Sequence, residues 1–432
     1  MLRILATLVV AGFIAGCSTD PVSSNQQTVN PDLPFAVSKS TASRDVVLST
    51  DARITVQAAS INKFAVNMYK QIIEENKNAF LSPYSITSAL GMTDLGAGGT
   101  TDEQIRQALA VTLAGDDFHA AMNGLNQSLE THSDQTDNLE LNIENSVWAQ
   151  DSGIYFKVGY LDKLVRHYNS GVYLLDFINE PEPSRIIIND WVAAQTNQRI
   201  LDLLPSGSIG TATRLVLTNA IYFLADWMFT FDSTLTSSQS FTRFDGSSVS
   251  VAMMSLSDKP VNLLFNQSGN IRLLELPYKG DRIAMDLVLP DSGMFTAFED
   301  SVTHEGLTGL IAGLDTTKLY TVKMPRFQFT TESISIKKAL QNLGMTDPFT
   351  ESADFSGIAN IDLMIADVYH KAFVKVDESG TEAAAATAVV IETTSSNIKY
   401  FNADRPFMYL IRDKQTNTIL FIGRILDPVV TE

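Results

Sequence analysis

Residues 378–395 constrain this chain more than any other stretch. They read Glu378-Ser379-Gly380-Thr381-Glu382-Ala383-Ala384-Ala385-Ala386-Thr387-Ala388-Val389-Val390-Ile391-Glu392-Thr393-Thr394-Ser395. The alanine run alone predicts a helix, whereas the β-branched residues that follow predict a strand. With a period of two, Thr381, Ala383, Ala385, Thr387, Val389 and Ile391 form one face. Glu382, Ala384, Ala386, Ala388, Val390 and Glu392 form the other. Both glutamates fall on the second face. The first is small or apolar throughout, with no charge and no proline, neither of which a buried strand tolerates well. The segment can therefore slot into a sheet with its uncharged face inward.

The 432 residues carry 31 Lys+Arg against 49 Asp+Glu, a net charge of −18. A chain this acidic repels phosphate backbones, which argues against nucleic acid as a partner. A single cysteine excludes an intramolecular disulfide and a cysteine-based zinc site. That residue, Cys17, ends a distinctive leader. Met1-Leu2-Arg3 is a short basic start, and Ile4 to Ile14 is apolar but for Thr7 and too short to span a bilayer as a helix. Such a segment reads as a secretory signal. Its end, Ile14-Ala15-Gly16-Cys17, resembles the lipobox of bacterial lipoproteins, which implies cleavage before Cys17 and lipidation of it. Ser18 after the cysteine points, by analogy, to the outer membrane or cell surface. Residues 18–53 are rich in Ser, Thr, Asn, Gln and Asp with three prolines and predict a flexible polar tether, reaching roughly 30–35 Å.

Residues 54–432 show no second linker and no repeat, so one domain is expected. Ile61, Phe64, Ala65, Met68 and Ile72 fall at helical spacing. Further helices are predicted over Ser85–Leu90, Asp102–Leu109 and Ile186–Ala194. Ile283, Met285, Leu287 and Leu289 alternate as a strand, and Ile419–Ile425 reads as a terminal one. Helices crowd the first half and strands the second, an α+β pattern. Motifs for catalysis fail. Gly96-Ala97-Gly98-Gly99-Thr100-Thr101 lacks the lysine of a phosphate loop and predicts a turn between helices. Ser60-Ile61-Asn62-Lys63 fits SxxK, but so does Ser335-Ile336-Lys337-Lys338, and no KTG exists. Ser60 is expected at a helix start with Lys63 on the solvated face. No nucleophile–base pair and no metal cage emerge, so the chain is not read as an enzyme and no cofactor is implied.

The ordered set of motifs resembles the serpin family over nearly all of residues 54–432. The hinge is Glu378-Ser379-Gly380-Thr381-Glu382-Ala383-Ala384-Ala385-Ala386-Thr387. The C-terminal signature is Phe401-Asn402-Ala403-Asp404-Arg405-Pro406-Phe407-Met408-Tyr409-Leu410-Ile411-Arg412-Asp413, closed by Leu420-Phe421-Ile422-Gly423-Arg424-Ile425. Asn219-Ala220-Ile221-Tyr222-Phe223 with Trp227, Phe80-Leu81-Ser82-Pro83-Tyr84-Ser85-Ile86, Leu276-Pro277-Tyr278 and Asp367-Val368-Tyr369-His370-Lys371-Ala372 also match. Two departures stand out: Leu224-Ala225 where the family often has Lys-Gly, and Gln198-Arg199 where it often has Gly-Lys.

The resemblance implies three β-sheets, eight to nine helices and an exposed reactive-centre loop. It implies a protease inhibitor that acts once: the protease cuts the loop, forms an acyl-enzyme, and is trapped when the loop inserts into the main sheet. Family spacing places the scissile bond between Thr394 and Ser395, or one residue later. A small hydroxylated residue before the cut suits an elastase-like or subtilisin-like serine protease, with a papain-like cysteine protease as a further candidate. His370 matches the family's shutter histidine, expected to bond Asn219 and a serine from Ser82 or Ser85, while Trp227 would stand at the sheet's opening end. The expected partners are a target protease and a lipid bilayer, with the chain a monomer. The alternative is a non-inhibitory serpin used as a carrier, whose hinge usually has bulky, charged or proline residues that are not seen here.

Overall fold

A computed structural model describes residues 27–28, 33–381 and 399–429. Cys17, Glu382 to Thr387, and the Thr394–Ser395 bond lie outside the described residues. The first long helix, Ala52–Ile72, starts where the Asp51 carboxylate accepts the Arg53 backbone N–H. It buries a stripe through Ile54, Ala58, Ile61, Ala65 and Met68. Ser60 is inside this helix rather than at its start. It is buried, and its hydroxyl donates to the Val56 carbonyl at 3.3 Å, while Lys63 is exposed as expected. Helix Pro83–Asp94 is capped by the Ser82 hydroxyl, has proline in its first turn, and is buried on all sides. The predicted helices near 102–109 and 186–194 are Gly99–Ala108 and Pro181–Gln195. Of the glycine-rich stretch read as a turn, Gly96, Ala97 and Gly98 link two helices, whereas Gly99, Thr100 and Thr101 already form the first turn of the second. Among the described residues there are nine α-helices.

Counted by hydrogen bonding, the described strands form two sheets, of nine and ten strands, where the resemblance implies three. The reason is one continuous ladder. Strand Val261–Ser268 pairs with Ile271–Pro277 on one side and Asp315–Pro325 on the other, joining two groups into one network. The nine-stranded main sheet concerns function. Its strand β1 (Leu139–Gln150) lies antiparallel along the whole of β2 (Leu215–Asp226). On the far side of β2, strand β3 (Val368–Val376) pairs parallel, but only from Val368–Leu217 to Ala372–Ile221. Strand β2 is a nearly continuous apolar run, as a strand covered on both faces requires. Its Leu215, Leu217, Ile221, Phe223 and Ala225 join the main core. Val216 and Ala220 point to the opposite face, beneath helix Pro181–Gln195.

Part of the segment read as a tether is folded. Ala36–Ser38 adds an antiparallel strand to Val172–Leu175 at the main sheet's edge, and Phe35 is buried at 6% exposure. Phe35 is the one aromatic residue in a polar stretch, and a single anchor leaves no period to read.

Gln198 stands where the family often has glycine, and its φ is +62°, next to Asn197 at +49°. A side chain in this left-handed region costs roughly 1–2 kcal/mol, which glycine avoids at the expense of some unfolded-state entropy. Gln198→Gly should therefore raise unfolding stability by about 0.5–1 kcal/mol, read as a higher urea midpoint at unchanged slope.

Candidate functional site: the hinge and the half-closed sheet

Above the β2–β3 ladder the chain doubles back. Gly380–Thr381, strand β4, lies antiparallel on the end of β2, pairing Gly380 with Asp226 and Thr381 with Ala225. One side of β2 is thus shared by β3 and β4, which run in opposite directions. Contact here is so close that only glycine fits: a Cβ at position 380 would lie 2.1 Å from the Ala225 carbonyl oxygen. Thr381 is 2% exposed, and its hydroxyl shares a 2.8 Å hydrogen bond with the Tyr278 hydroxyl. Tyr278 in turn stacks on Trp227, ring centroids 4.4 Å apart.

Trp227 holds the hinge through two bonds. Its indole N–H donates to the Asp377 carbonyl at 3.0 Å, and its backbone N–H donates to the Ser379 carbonyl at 2.8 Å. Phe231 donates its backbone N–H to the Glu378 carbonyl at 2.9 Å. The Glu378 carboxylate takes the Arg326 guanidinium at 2.5 Å and the Thr236 hydroxyl at 2.6 Å. Burial would raise this carboxyl, but those two donors outweigh it and hold it below the usual carboxylate range. Glu378, Gly380, Thr381 and Trp227 therefore form one unit, with Thr381 paired to β2 and buried.

The second group lies six residues down β2, about 20 Å away at strand rise. Asn145 of β1, Asn219 of β2 and His370 of β3 stand abreast in register. Each is the one polar residue among the inward positions of its strand, with Asn219 and His370 buried and Asn145 partly so. On β1 the neighbours are Leu139, Leu141, Val147 and Ala149, and on β3 they are Val368, Ala372, Val374 and Val376. His370 Nδ1 is 2.8 Å from Asn219 Oδ1, and the Ser82 backbone N–H faces His370 Nε2 at 3.4 Å. This fixes the proton on Nδ1, which donates to Asn219. The Asn219 amide donates to Ser85 Oγ at 2.6 Å and to Asn145 Oδ1 at 2.7 Å. Ser85 Oγ donates to Asn145 at 3.0 Å. Ser82 Oγ caps its helix and donates to the Leu420 carbonyl at 2.7 Å. The four residues singled out in the sequence meet here, with Ser85 bonding Asn219 by side chain and Ser82 meeting His370 by backbone. Asn145, Tyr278, Thr236 and Arg326 had no role assigned from the sequence.

Comparison with known proteins decides the family. The pattern of the family described as serpin (serine protease inhibitor) matches residues 59–428. The chain belongs to the serpin family. It is 36% identical over 380 residues to a serpin-like protein of Methanosarcina acetivorans, covering 86% of both chains. It is 36% identical to mouse antithrombin-III over 88% of this chain and 84% of that one. Its fold is similar to the native state of tengpin, a thermophilic serpin. The TM-score is 0.78 at 26% identity, over 89% of this chain and 97% of tengpin. Uncleaved ovalbumin aligns with a TM-score of 0.76 at 27% identity, over 86% of this chain and all of that one. The serpin fold expected from the motifs is the one present, and many family members inhibit proteases.

Burial pushes the His370 imidazole down to about 4 from about 6.5 in an unfolded chain. The unfolded state then binds this proton more tightly than the folded one. Stability from His370 is fully present above pH 6.5 and is lost as pH falls toward 4, by up to about 3 kcal/mol. Asp94, raised to about 6 chiefly by burial, titrates in the same window with the opposite sign. It is common to both chains when wild type is compared with His370→Gln. The variant should begin less stable and lose less between pH 6.5 and 4; denaturant melts at the two pH values measure the difference.

Proposed function

We propose that this serpin is an inhibitor that traps its target protease by loop insertion, and that it stands on a lipid anchor. The observation that carries the reading is the hinge: Gly380 and Thr381 are already paired on β2, so extending the same antiparallel register needs no new nucleus. Continued down β2, that register brings Ala383 opposite Phe223, Ala385 opposite Ile221 and Thr387 opposite Asn219. The inward residues between Thr381 and Thr387 are alanines, which enter beneath the sheet with little steric resistance.

Insertion between β2 and β3 must break the 2.8 Å bond from His370 to Asn219, and Thr387 is the inward residue that would arrive at that point. A hydroxyl offers one donor and two acceptor sites. It could take the His370 Nδ1 proton and donate to Asn219 Oδ1, so neither buried group would be left unpaired. The reaction with the protease ends at the acyl-enzyme: the nucleophile bonds the carbonyl carbon of Thr394, and the Ser395 amine leaves. The family description as serine protease inhibitor supports this class of target. The small residue before the cut supports an elastase-like or subtilisin-like enzyme, with a papain-like one as a further candidate.

Thr381→Arg should convert the inhibitor to a substrate. A guanidinium cannot be buried unpaired where Thr381 meets Tyr278, so the strand that begins insertion is expelled. An elastase-like protease should form a detergent-stable complex with the parent chain at about one inhibitor per protease. With the variant it should cleave the loop and remain active. Equal stoichiometry in the two chains would rule out insertion through this hinge.

The anchor rests on the lipobox-like end of the leader, with Cys17 as the acylated residue. Cys17→Ala should move the protein from the salt-washed membrane fraction to the soluble one. Retention of the variant in washed membranes would reject lipidation, without bearing on the inhibitory mechanism.

A further inference from the structure

The edge of the main sheet is built from the chain's own N-terminal segment. Strand length falls steadily outward, from 12 residues in β1 to four in Val172–Leu175, three in Ala36–Ser38 and two in Gln27–Thr28. All are paired in sequence. Phe35 anchors the segment. Its ring meets Trp148 edge-on at 5.0 Å and Tyr173 at 5.3 Å, in a cluster that Trp191 completes. Gly171 makes room for the strap, since a Cβ there would lie 3.0 Å from the Ser38 carbonyl oxygen and from Val37. Past the strand, the Asp45 carbonyl takes the side-chain amides of Asn123 and Gln127 at 2.8 and 2.7 Å. The Asp45 N–H donates to the Arg166 carbonyl at 3.0 Å. Arg44 reaches Asn123 at 2.8 Å and Glu130 at 2.6 Å.

These contacts hide a surface that would otherwise be sticky. Without the strap, Val172–Leu175 would offer a row of free backbone N–H and C=O groups, flanked by the buried side chains of Val172, Leu174 and Leu175 and an open aromatic socket. A bare apolar edge is a template for another strand. We propose that the strap is an edge cap: it occupies the outer side of Val172–Leu175 and so keeps this edge from pairing with the same strand of a second copy. Antiparallel pairing of one edge with its twin closes about a two-fold axis and gives a dimer rather than a fibre.

The test uses a soluble chain from Ser18, which keeps every described residue. Phe35→Ala combined with Val37→Pro empties the socket and blocks the added strand. Sedimentation velocity across a wide concentration range should show the parent as a monomer and the variant as a dimer that dissociates on dilution. A synthetic peptide of residues 31–40 should return the variant to monomer, and the same peptide with Phe35→Ala should not. A parent chain that is already dimeric, a folded variant that stays monomeric throughout, or a dimer that the peptide leaves intact would each overturn the proposal. A monomeric variant that melts far higher and no longer inhibits would also overturn it, since the strap would then be restraining the sheet from opening. If the double variant fails to fold, Phe35→Ala alone is read by the same outcomes.

Discussion

A strand has two sides, and β2 has three claimants. β1 occupies one side along its full length. The other is divided between parallel β3 near the start of β2 and antiparallel β4 at its end. Between them only Tyr222, Phe223 and Leu224 are unclaimed on this side; past that gap neither arrangement can extend without displacing the other, because β3 and β4 run in opposite directions along the same row of backbone groups. Asn219 and His370 lie where β3 holds the side, and Gly380 and Thr381 lie where β4 holds it. Everything proposed about inhibition follows from this competition: more β4 means less direct contact between β2 and β3.

The two ends of the contest are held by different chemistry. Where Asn145, Asn219 and His370 stand abreast, polar side chains that are buried or, for Asn145, partly buried satisfy one another in register, so each bond is strong in its low-dielectric setting and costly to leave unmade. The same burial makes His370 intolerant of a proton. At the hinge, the contacts are aromatic stacking, main-chain bonds from Trp227 and Phe231, and an Arg326–Glu378 pair with the arginine half exposed. Exposed pairs contribute little, so the hinge is fixed mainly by its backbone and by the fit of Gly380 and Thr381.

Much of this was legible in the sequence, for physical reasons. The inward face of β2 reads Leu215, Leu217, Asn219, Ile221, Phe223 and Ala225, and a lone polar residue in such a row marks a buried group in need of a partner. His370 interrupts its strand in the same way. Asn145 obeys the same rule and could have been flagged, but its partner could not be named. Register between strands that are far apart in the chain is set by the whole sheet. Thr381 was readable as the first inward residue, yet its bond to Tyr278 depends on a turn about a hundred residues away. The strap escaped because one phenylalanine among polar residues has no periodicity, and its binding site is assembled from two strands and a helix. Gln198 shows the opposite case, where comparison with the family's glycine pointed to a conformation the residue itself does not announce.

The placement of the tryptophans has an optical consequence. The chain contains three: Trp148 and Trp191 share the aromatic cluster at the strap, and Trp227 stacks on Tyr278 beside the hinge. The ten-stranded network and the helices packed behind it contain none. Emission excited through indole therefore comes only from the main sheet and its cover. Two of the three emitters sample its outer edge and one the end of β2 beside Gly380, so replacing Trp227 with phenylalanine leaves a signal from the edge alone.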